Sequence, residues 1–268
     1  MTLPLDRDAF RRRFGKRAVF AMVHLGPLPG APLFGGSFER VVARALADAR
    51  TIAAAGADGI VVENFGDRPF GKTAAPVAVA GIARAVAEIA REVRIPIGVN
   101  VLRNDGRAAI AVAAATGAAF VRINVLAGVM LTDQGVVEGD AAAVLRDRAA
   151  FAPGVAIFAD WMVKHAAPLP GTDADQAARD LRERALADAL VVSGRATGAP
   201  ADPGALERLS TVVPDAPLVV GSGLRAGNAA ALASVADAFI VGTSIKRGGR
   251  VDAPVDRRRL ETLLARVK

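Results

Sequence analysis

The chain has 268 residues, a formal net charge of +7, a hydrophobic fraction of 52%, only 4% aromatics and no cysteine. The length accommodates one (β/α)8 barrel of roughly 250 residues, and the missing cysteine excludes disulfides, thiolate metal sites and cysteine nucleophiles. The excess positive charge favours anionic ligands. It is scattered apart from clusters at 11–13 and 257–259 and comes with no nucleic-acid-binding motif or aromatic stacking platform, so nucleic acid is not an expected partner.

Short β-rich runs alternate with Ala-rich helical stretches. After a polar lead-in over residues 1–17, residues 18–25 read as a first strand and 38–55 as an amphipathic helix, with Ser37 as N-cap and Gly56 beyond its end. Strands are predicted at 59–63, 95–102, 119–124, 155–161, 189–193, 217–221 and 238–242. Helices are predicted at 76–93, 105–116, 140–149, 173–187, 203–210, 226–235 and 256–267. Eight strand–helix units imply parallel strands joined by right-handed crossovers. With no Pro/Ser-rich linker, the expectation is one (β/α)8 barrel, a TIM barrel, spanning 1–268; an open doubly wound sheet is the competing architecture. The start of the chain does not read as a signal segment, and no apolar run approaches the roughly 20 residues needed to span a bilayer. A soluble cytoplasmic protein without membrane insertion is therefore expected. A homo-oligomer such as a dimer would be ordinary for this architecture.

Barrel enzymes work at the C-terminal ends of their strands, and the polar residues collect there. His24 ends the first strand, Glu63 and Asn64 the second, and Asn100 the third. Arg122 and Asn124 end the fourth; Asp160, Lys164 and His165 follow the fifth; Ser193 closes the sixth. Residues two apart share a strand face, so Arg122 pairs with Asn124 and Phe158 with Asp160. Buried parallel strands are otherwise nearly all apolar, so these residues predict a polar ring above an apolar plug. Asn64, Asn100, Arg122, Asn124 and Ser193 are its ligand-binding candidates.

Scarcity sharpens the reading. Both histidines of the chain fall at this face, and only five of its 34 basic residues are lysine. Lys72, Lys164 and Lys246 follow the second, fifth and eighth strands. A lysine kept in an arginine-rich chain points to a compact charge or a titratable amine. Strand seven runs into Gly221-Ser222-Gly223 and strand eight into Gly242-Thr243-Ser244, the two loops that hold phosphate in many barrels. Glycine lets backbone approach an anion closely, and Lys246 is expected to add charge. No GxSxG elbow, HExxH or Walker A lysine is present. A divalent metal held by Glu63, Asp160 and a histidine stays open beside a metal-free polar ring, and no other cofactor is implied.

The chain also resembles the BtpA/SgcQ family. The resemblance runs through Met22-Val23-His24-Leu25-Gly26-Pro27-Leu28-Pro29-Gly30, Glu63-Asn64-Phe65-Gly66-Asp67, Val99-Asn100-Val101-Leu102-Arg103-Asn104 and Val163-Lys164-His165-Ala166. It continues through Val192-Ser193-Gly194, Ala196-Thr197-Gly198, Gly221-Ser222-Gly223 and Val241-Gly242-Thr243-Ser244-Ile245-Lys246. Trp161-Met162 departs from the pattern, where smaller or aliphatic residues are expected, and so bears on cavity shape. The resemblance implies a barrel similar to phosphate-binding enzymes such as phosphoribosylanthranilate isomerase. The family's name comes from photosystem I accumulation, and its SgcQ branch is associated with sugar-phosphate metabolism.

The leading expectation is a lyase or isomerase acting on a small sugar-phosphate-like metabolite. Asp160 and Glu63 are the acid/base candidates, assisted by His24 or His165. Lys164 forms a Schiff base if its pKa is depressed, or else holds an anion. The rival is a noncatalytic assembly or stability factor for a membrane complex, which should carry an exposed apolar patch.

Overall fold

Eight parallel strands close into a barrel in a computed structural model that describes residues 4–194 and 198–268. In chain order the barrel strands are β1 (Ala18–His24), β2 (Gly59–Glu63), β3 (Ile97–Asn100), β4 (Phe120–Ile123), β7 (Ala156–Trp161), β9 (Ala189–Val192), β10 (Leu218–Val220) and β11 (Ala238–Val241). β1 closes the ring by pairing with both β2 and β11. The crossovers carry α2 (Phe38–Ala54), α3 (Pro76–Glu92), α4 (Gly106–Thr116), α5 (Ala141–Phe151), α6 (Ala174–Arg179), α7 (Pro203–Val212), α8 (Ala229–Ala233) and α9 (Arg257–Val267). Ser37 caps α2 by accepting from Arg40 N–H, as its position predicts.

Strand alternation builds two cores. Val19, Ala21 and Val23 of β1 face the helices, whereas Ala18, Phe20 and Met22 face the barrel axis. The few aromatics concentrate on that axis. Phe20, Phe120 and Phe158 pack with ring centroids 4.4–5.8 Å apart. Two glycines make room: a Cβ on Gly59 would lie 2.6 Å from the Phe20 ring, and one on Gly98 would lie 2.2 Å from the Phe120 ring. The lead-in over 1–17 contributes a helix, α1 (Arg7–Phe14), whose Phe10 and Phe14 seal the bottom of this plug. The closed bottom leaves the C-terminal strand ends as the face open to ligand.

Two long connections hold a feature absent from the sequence reading. β5 (Val129–Thr132) and β6 (Gly135–Glu138) form a hairpin, and β8 (Ala166–Pro168) pairs with β5. Met130 and Val137 of this three-stranded antiparallel sheet pack with Val125 and Val163 in a small separate cluster. No helix among the described residues is long and apolar enough to cross a membrane.

Candidate functional site

Register places the polar ring. His24 lies opposite Glu63, Glu63 opposite Asn100, and Asn100 opposite Arg122 on successive neighbouring strands. Residues in register on parallel neighbours point to one side of the sheet, here the axis side that also holds Met22 and Phe158. Above this layer opens a cavity of about 560 Å³. Its lining includes His24, Glu63, Arg122 and Lys164 at one end and the β10 and β11 loops at the other, so the sequence brings together residues 24, 63, 122, 164, 221–223 and 242–244.

Glu63 is buried, and its carboxylate lies 3.8 Å from His24 Nε2. Burial raises its pKa, while Lys164 and Arg122 pull the other way. His24 is held well below the ordinary histidine range, first by burial and then by the charges of Lys246, Lys164, Arg122 and Arg44. A neutral imidazole beside a carboxyl that retains its proton more readily can pass or accept a proton at neutral pH.

Lys164 reaches this end from the turn after β7. Met162 and His165 flank it in left-handed conformations, with φ of 51° and 56°. Such angles cost a non-glycine residue roughly 1–2 kcal/mol each. The turn sends Lys164 to the cavity and leaves His165 exposed, outside the cavity lining. His165 is thereby removed from the expected reacting groups. Arg103, which sequence reasoning did not assign, donates to the Lys164 carbonyl at 2.7 Å and fixes the turn. Burial lowers the Lys164 pKa, Arg122 and Arg103 add to the effect, and Glu63 and Asp160 oppose it.

Asp160 serves the site differently from the acid/base role expected of it. Its two oxygens accept from Arg122 Nε and an Arg122 terminal nitrogen at 2.8 and 2.9 Å, and from Asn124 at 3.0 Å. With both oxygens occupied in this way, the carboxylate is absent from the cavity lining. It anchors Arg122: burial pulls the Arg122 pKa down, but the charge and hydrogen bonds of Asp160 together with the Glu63 charge raise it overall. Asn124, Asn100 and Asn64 are likewise committed to the fold. Asn100 donates to the Arg122 carbonyl and to Asn124, while Asn64 pairs with Leu102 N–H and Asp67. These three asparagines position the strand ends rather than line the cavity. Ser193 accepts from Arg122 at 3.4 Å. Asp160 cannot join a metal set while held this way, and no group of three His, Asp or Glu side chains converges among the described residues.

The loop end corrects the lysine reading. Lys246 is 1% exposed, and its ammonium donates to Asp48 of α2 at 2.7 Å. Asp48 also accepts from Val255 N–H at 2.7 Å. The pair ties α2 to the segment after β11; Lys246 is absent from the cavity lining and acts there only through its charge on His24. Lys72 lines a separate hollow beside Asn104 and Glu138. Charge at the loop end comes instead from Arg225, Arg258 and Arg259. Arg225 donates to the Gly198 carbonyl and Arg259 to the Ser244 carbonyl. The cluster at 257–259 was visible in the sequence, but only the fold brings the start of α9 to the β11 loop.

The glycines also have local reasons. Gly223 has φ +73°, and a Cβ there would lie 2.1 Å from the Ala199 carbonyl oxygen, so the neighbouring loop rather than a ligand demands glycine. Gly221 leaves room for Ser193 and Arg122, and Gly242 for His24. The Ser222 hydroxyl accepts from Gly194 N–H and donates to the Ala199 carbonyl, locking the β9 and β10 loops together. The main-chain N–H groups of Ser222, Gly223, Leu224, Thr243 and Ser244 find no acceptor among the described residues. The motif residues Ala196 and Thr197 lie outside the described residues. Trp161 faces the helices and donates to the Ala174 carbonyl, so this departure from the family pattern leaves the cavity shape untouched.

Fold and site together define a (β/α)8 barrel with a cavity carrying His24, Glu63, Arg122 and Lys164 over a sealed plug, bordered by glycine-rich loops after its last two strands. The chain belongs to the BtpA family, whose model matches residues 15–268. It is 46% identical over 255 residues to an uncharacterized protein of Thermococcus kodakarensis, covering 95% of this chain and 97% of that one. It is 41% identical over 258 residues to the photosystem I biogenesis protein BtpA of Synechocystis sp., covering 96% and 90%. Among solved structures, it resembles a thiamine phosphate pyrophosphorylase from Pyrococcus furiosus, with TM-score 0.59 and 16% identity over 96% of this chain and 97% of the other. Orotidine 5'-phosphate decarboxylase from Pyrococcus horikoshii superposes with TM-score 0.58 and 15% identity over 93% and 98%. Likeness at that identity shows the fold.

Proposed function

We propose that the chain is an enzyme of lyase or isomerase type acting on a small phosphorylated metabolite. One observation carries this reading: a single cavity joins two chemically different ends. Backbone N–H groups with no acceptor among the described residues and Arg225, Arg258 and Arg259 crowd the loop end, while Glu63, His24 and Lys164 occupy the other. Backbone N–H groups with adjacent guanidinium groups suit a phosphate dianion. A proton-retaining carboxyl, a neutral imidazole and a lysine suit proton transfer at a neighbouring carbon. The phosphorylated compounds named for two of the similar barrels support the same ligand class. A thermal-shift screen of phosphorylated sugars and nucleotides, with and without divalent metals, tests the reading, because ligand binding to the native state raises apparent stability. A phosphorylated compound should stabilise the protein where its dephosphorylated counterpart does not. Equal stabilisation by both would reject the phosphate site.

A noncatalytic assembly role is favoured by a different observation. Leu131 and Val136 face each other across the β5–β6 hairpin, 40% and 44% exposed, with Leu169 nearby in sequence to β8 and also exposed. The biogenesis protein among the relatives supports that role. Leu131→Ser with Val136→Ser should abolish an assembly function and spare metabolite turnover, whereas Glu63→Gln should spare assembly and abolish turnover.

A further inference from the structure

From the arrangement at the closed end of the cavity, we infer that the metabolite carries an aldehyde or ketone and that Lys164 condenses with it to form a Schiff base. The inference rests on the phosphate-site reading and names the substrate class within it. Three observations converge. Lys164 lines the cavity, and among the described residues no carboxylate lies within ion-pair distance of its ammonium, in contrast to the buried pair of Lys246 with Asp48. The turn that delivers it is fixed by Arg103 and by two left-handed residues, so the amine is presented from a constrained backbone. Glu63 shares the cavity, is buried, and its carboxylate receives no hydrogen bond from a described residue, with His24 Nε2 3.8 Å away.

Burial shifts Lys164 towards a neutral amine. Arg122 and Arg103 oppose an ammonium at Lys164, Glu63 and Asp160 favour one, and burial tips the balance towards the amine. Asp160 is already matched by Arg122, and burial shifts Glu63 towards its protonated form. His24, held neutral, adds no opposing charge.

The step balances as follows. The Lys164 nitrogen lone pair attacks the carbonyl carbon and forms a carbinolamine. Glu63 gives its proton to the departing hydroxyl, which leaves as water, and a protonated imine remains. The imine then accepts the electron pair released when a neighbouring C–H or C–C bond breaks. In the C–H case Glu63, now a carboxylate, takes the proton; in the C–C case it takes the proton of the hydroxyl on the far carbon, and that fragment leaves as an aldehyde or ketone. Reprotonation and attack by water on the imine release product and restore the amine. The phosphate held by the β10 and β11 loops orients the carbonyl towards Lys164.

Glyceraldehyde 3-phosphate with sodium borohydride is the probe, since hydride addition turns the imine into a stable secondary amine. Intact-mass measurement and peptide mapping should find one adduct, on Lys164, competed by inorganic phosphate and absent in Lys164→Arg. Glu63→Gln should retain probe binding while slowing adduct formation on the order of a hundredfold, the low end of general acid–base catalysis. Calorimetry without borohydride, on wild type and on Lys164→Arg, supplies the second arm. Binding with no adduct, or label shared with Lys16, Lys72 and Lys268 and indifferent to phosphate, overturns the Schiff base and leaves the phosphate site standing. Failure of the probe to bind overturns both.

Discussion

Lys164 and Lys246 look alike in sequence, each a rare lysine after a barrel strand, and the structure assigns them opposite duties. Replacing Lys246 by Ala separates these duties. Its ammonium and the Asp48 carboxylate are 1% and 4% exposed at the side chain and 2.7 Å apart. Removing the cation leaves Asp48 buried, with the Val255 N–H as its remaining donor among the described residues. Breaking a buried pair from one side costs about 3–5 kcal/mol. For a chain of this size that corresponds to roughly 6–20 °C in melting temperature, at about 2–4 °C per kcal/mol. The assays are urea unfolding and scanning calorimetry, run beside phosphate titration at a temperature where the variant is folded. The expected outcome is a large loss of stability with anion affinity within about twofold of wild type, far below the tenfold that 1.4 kcal/mol represents. Unchanged stability with a tenfold loss of affinity would return Lys246 to the ligand and refute the assignment.

Other outcomes follow from the same geometry. Asp160→Asn should lower stability by about 3–5 kcal/mol through the uncompensated Arg122 guanidinium, read by urea unfolding; a fully stable but inactive variant would restore Asp160 to proton transfer. Arg258→Ala and Arg259→Ala should each weaken a phosphorylated ligand by roughly 1.4- to fivefold, as 0.2–1 kcal/mol for exposed charges implies, with the difference shrinking in high salt when followed by calorimetry. His24 binds its proton less readily in the fold than in the unfolded chain, because burial lowers its pKa. Its contribution to stability is thus present above the ordinary histidine value of 6.5 and is lost as pH falls below it. His24→Gln should therefore flatten the acid side of a stability–pH curve between pH 6.5 and about 5, and an unchanged slope would mean that His24 is protonated in the native state.

The barrel was legible because eight apolar runs alternate with helical stretches bounded by glycine and capping residues. The polar ring was legible because a buried strand end has few reasons to carry Glu63 or Arg122. Roles within the ring were not legible. Asp160 and Glu63 are both acidic residues at strand ends, and only the bidentate grip of Arg122 on Asp160 distinguishes them. Lys246 read as a ligand because its partner Asp48 lies 198 residues away in the chain. Alternation places Phe158 and Asp160 inward, and the same rule sends Trp161 outward, a consequence available from sequence but not drawn there. The β5–β6 hairpin leaves a weak signal, two four-residue runs around Asp133-Gln134, easily absorbed into a long loop. Arg258 and Arg259 were visible as a charge cluster, but their approach to Ser244 depends on how α9 closes the barrel.

A crystal structure of the protein grown with inorganic phosphate tests the central claim most directly. The account predicts one phosphate within hydrogen-bond distance of the N–H groups of Ser222, Gly223, Thr243 and Ser244 and near Arg258, with Glu63 and Lys164 across the same cavity. Phosphate bound instead at the basic hollow formed by Arg7, Arg11 and Lys16 at the opposite end of the barrel, with the β10 and β11 loops unoccupied, would contradict it.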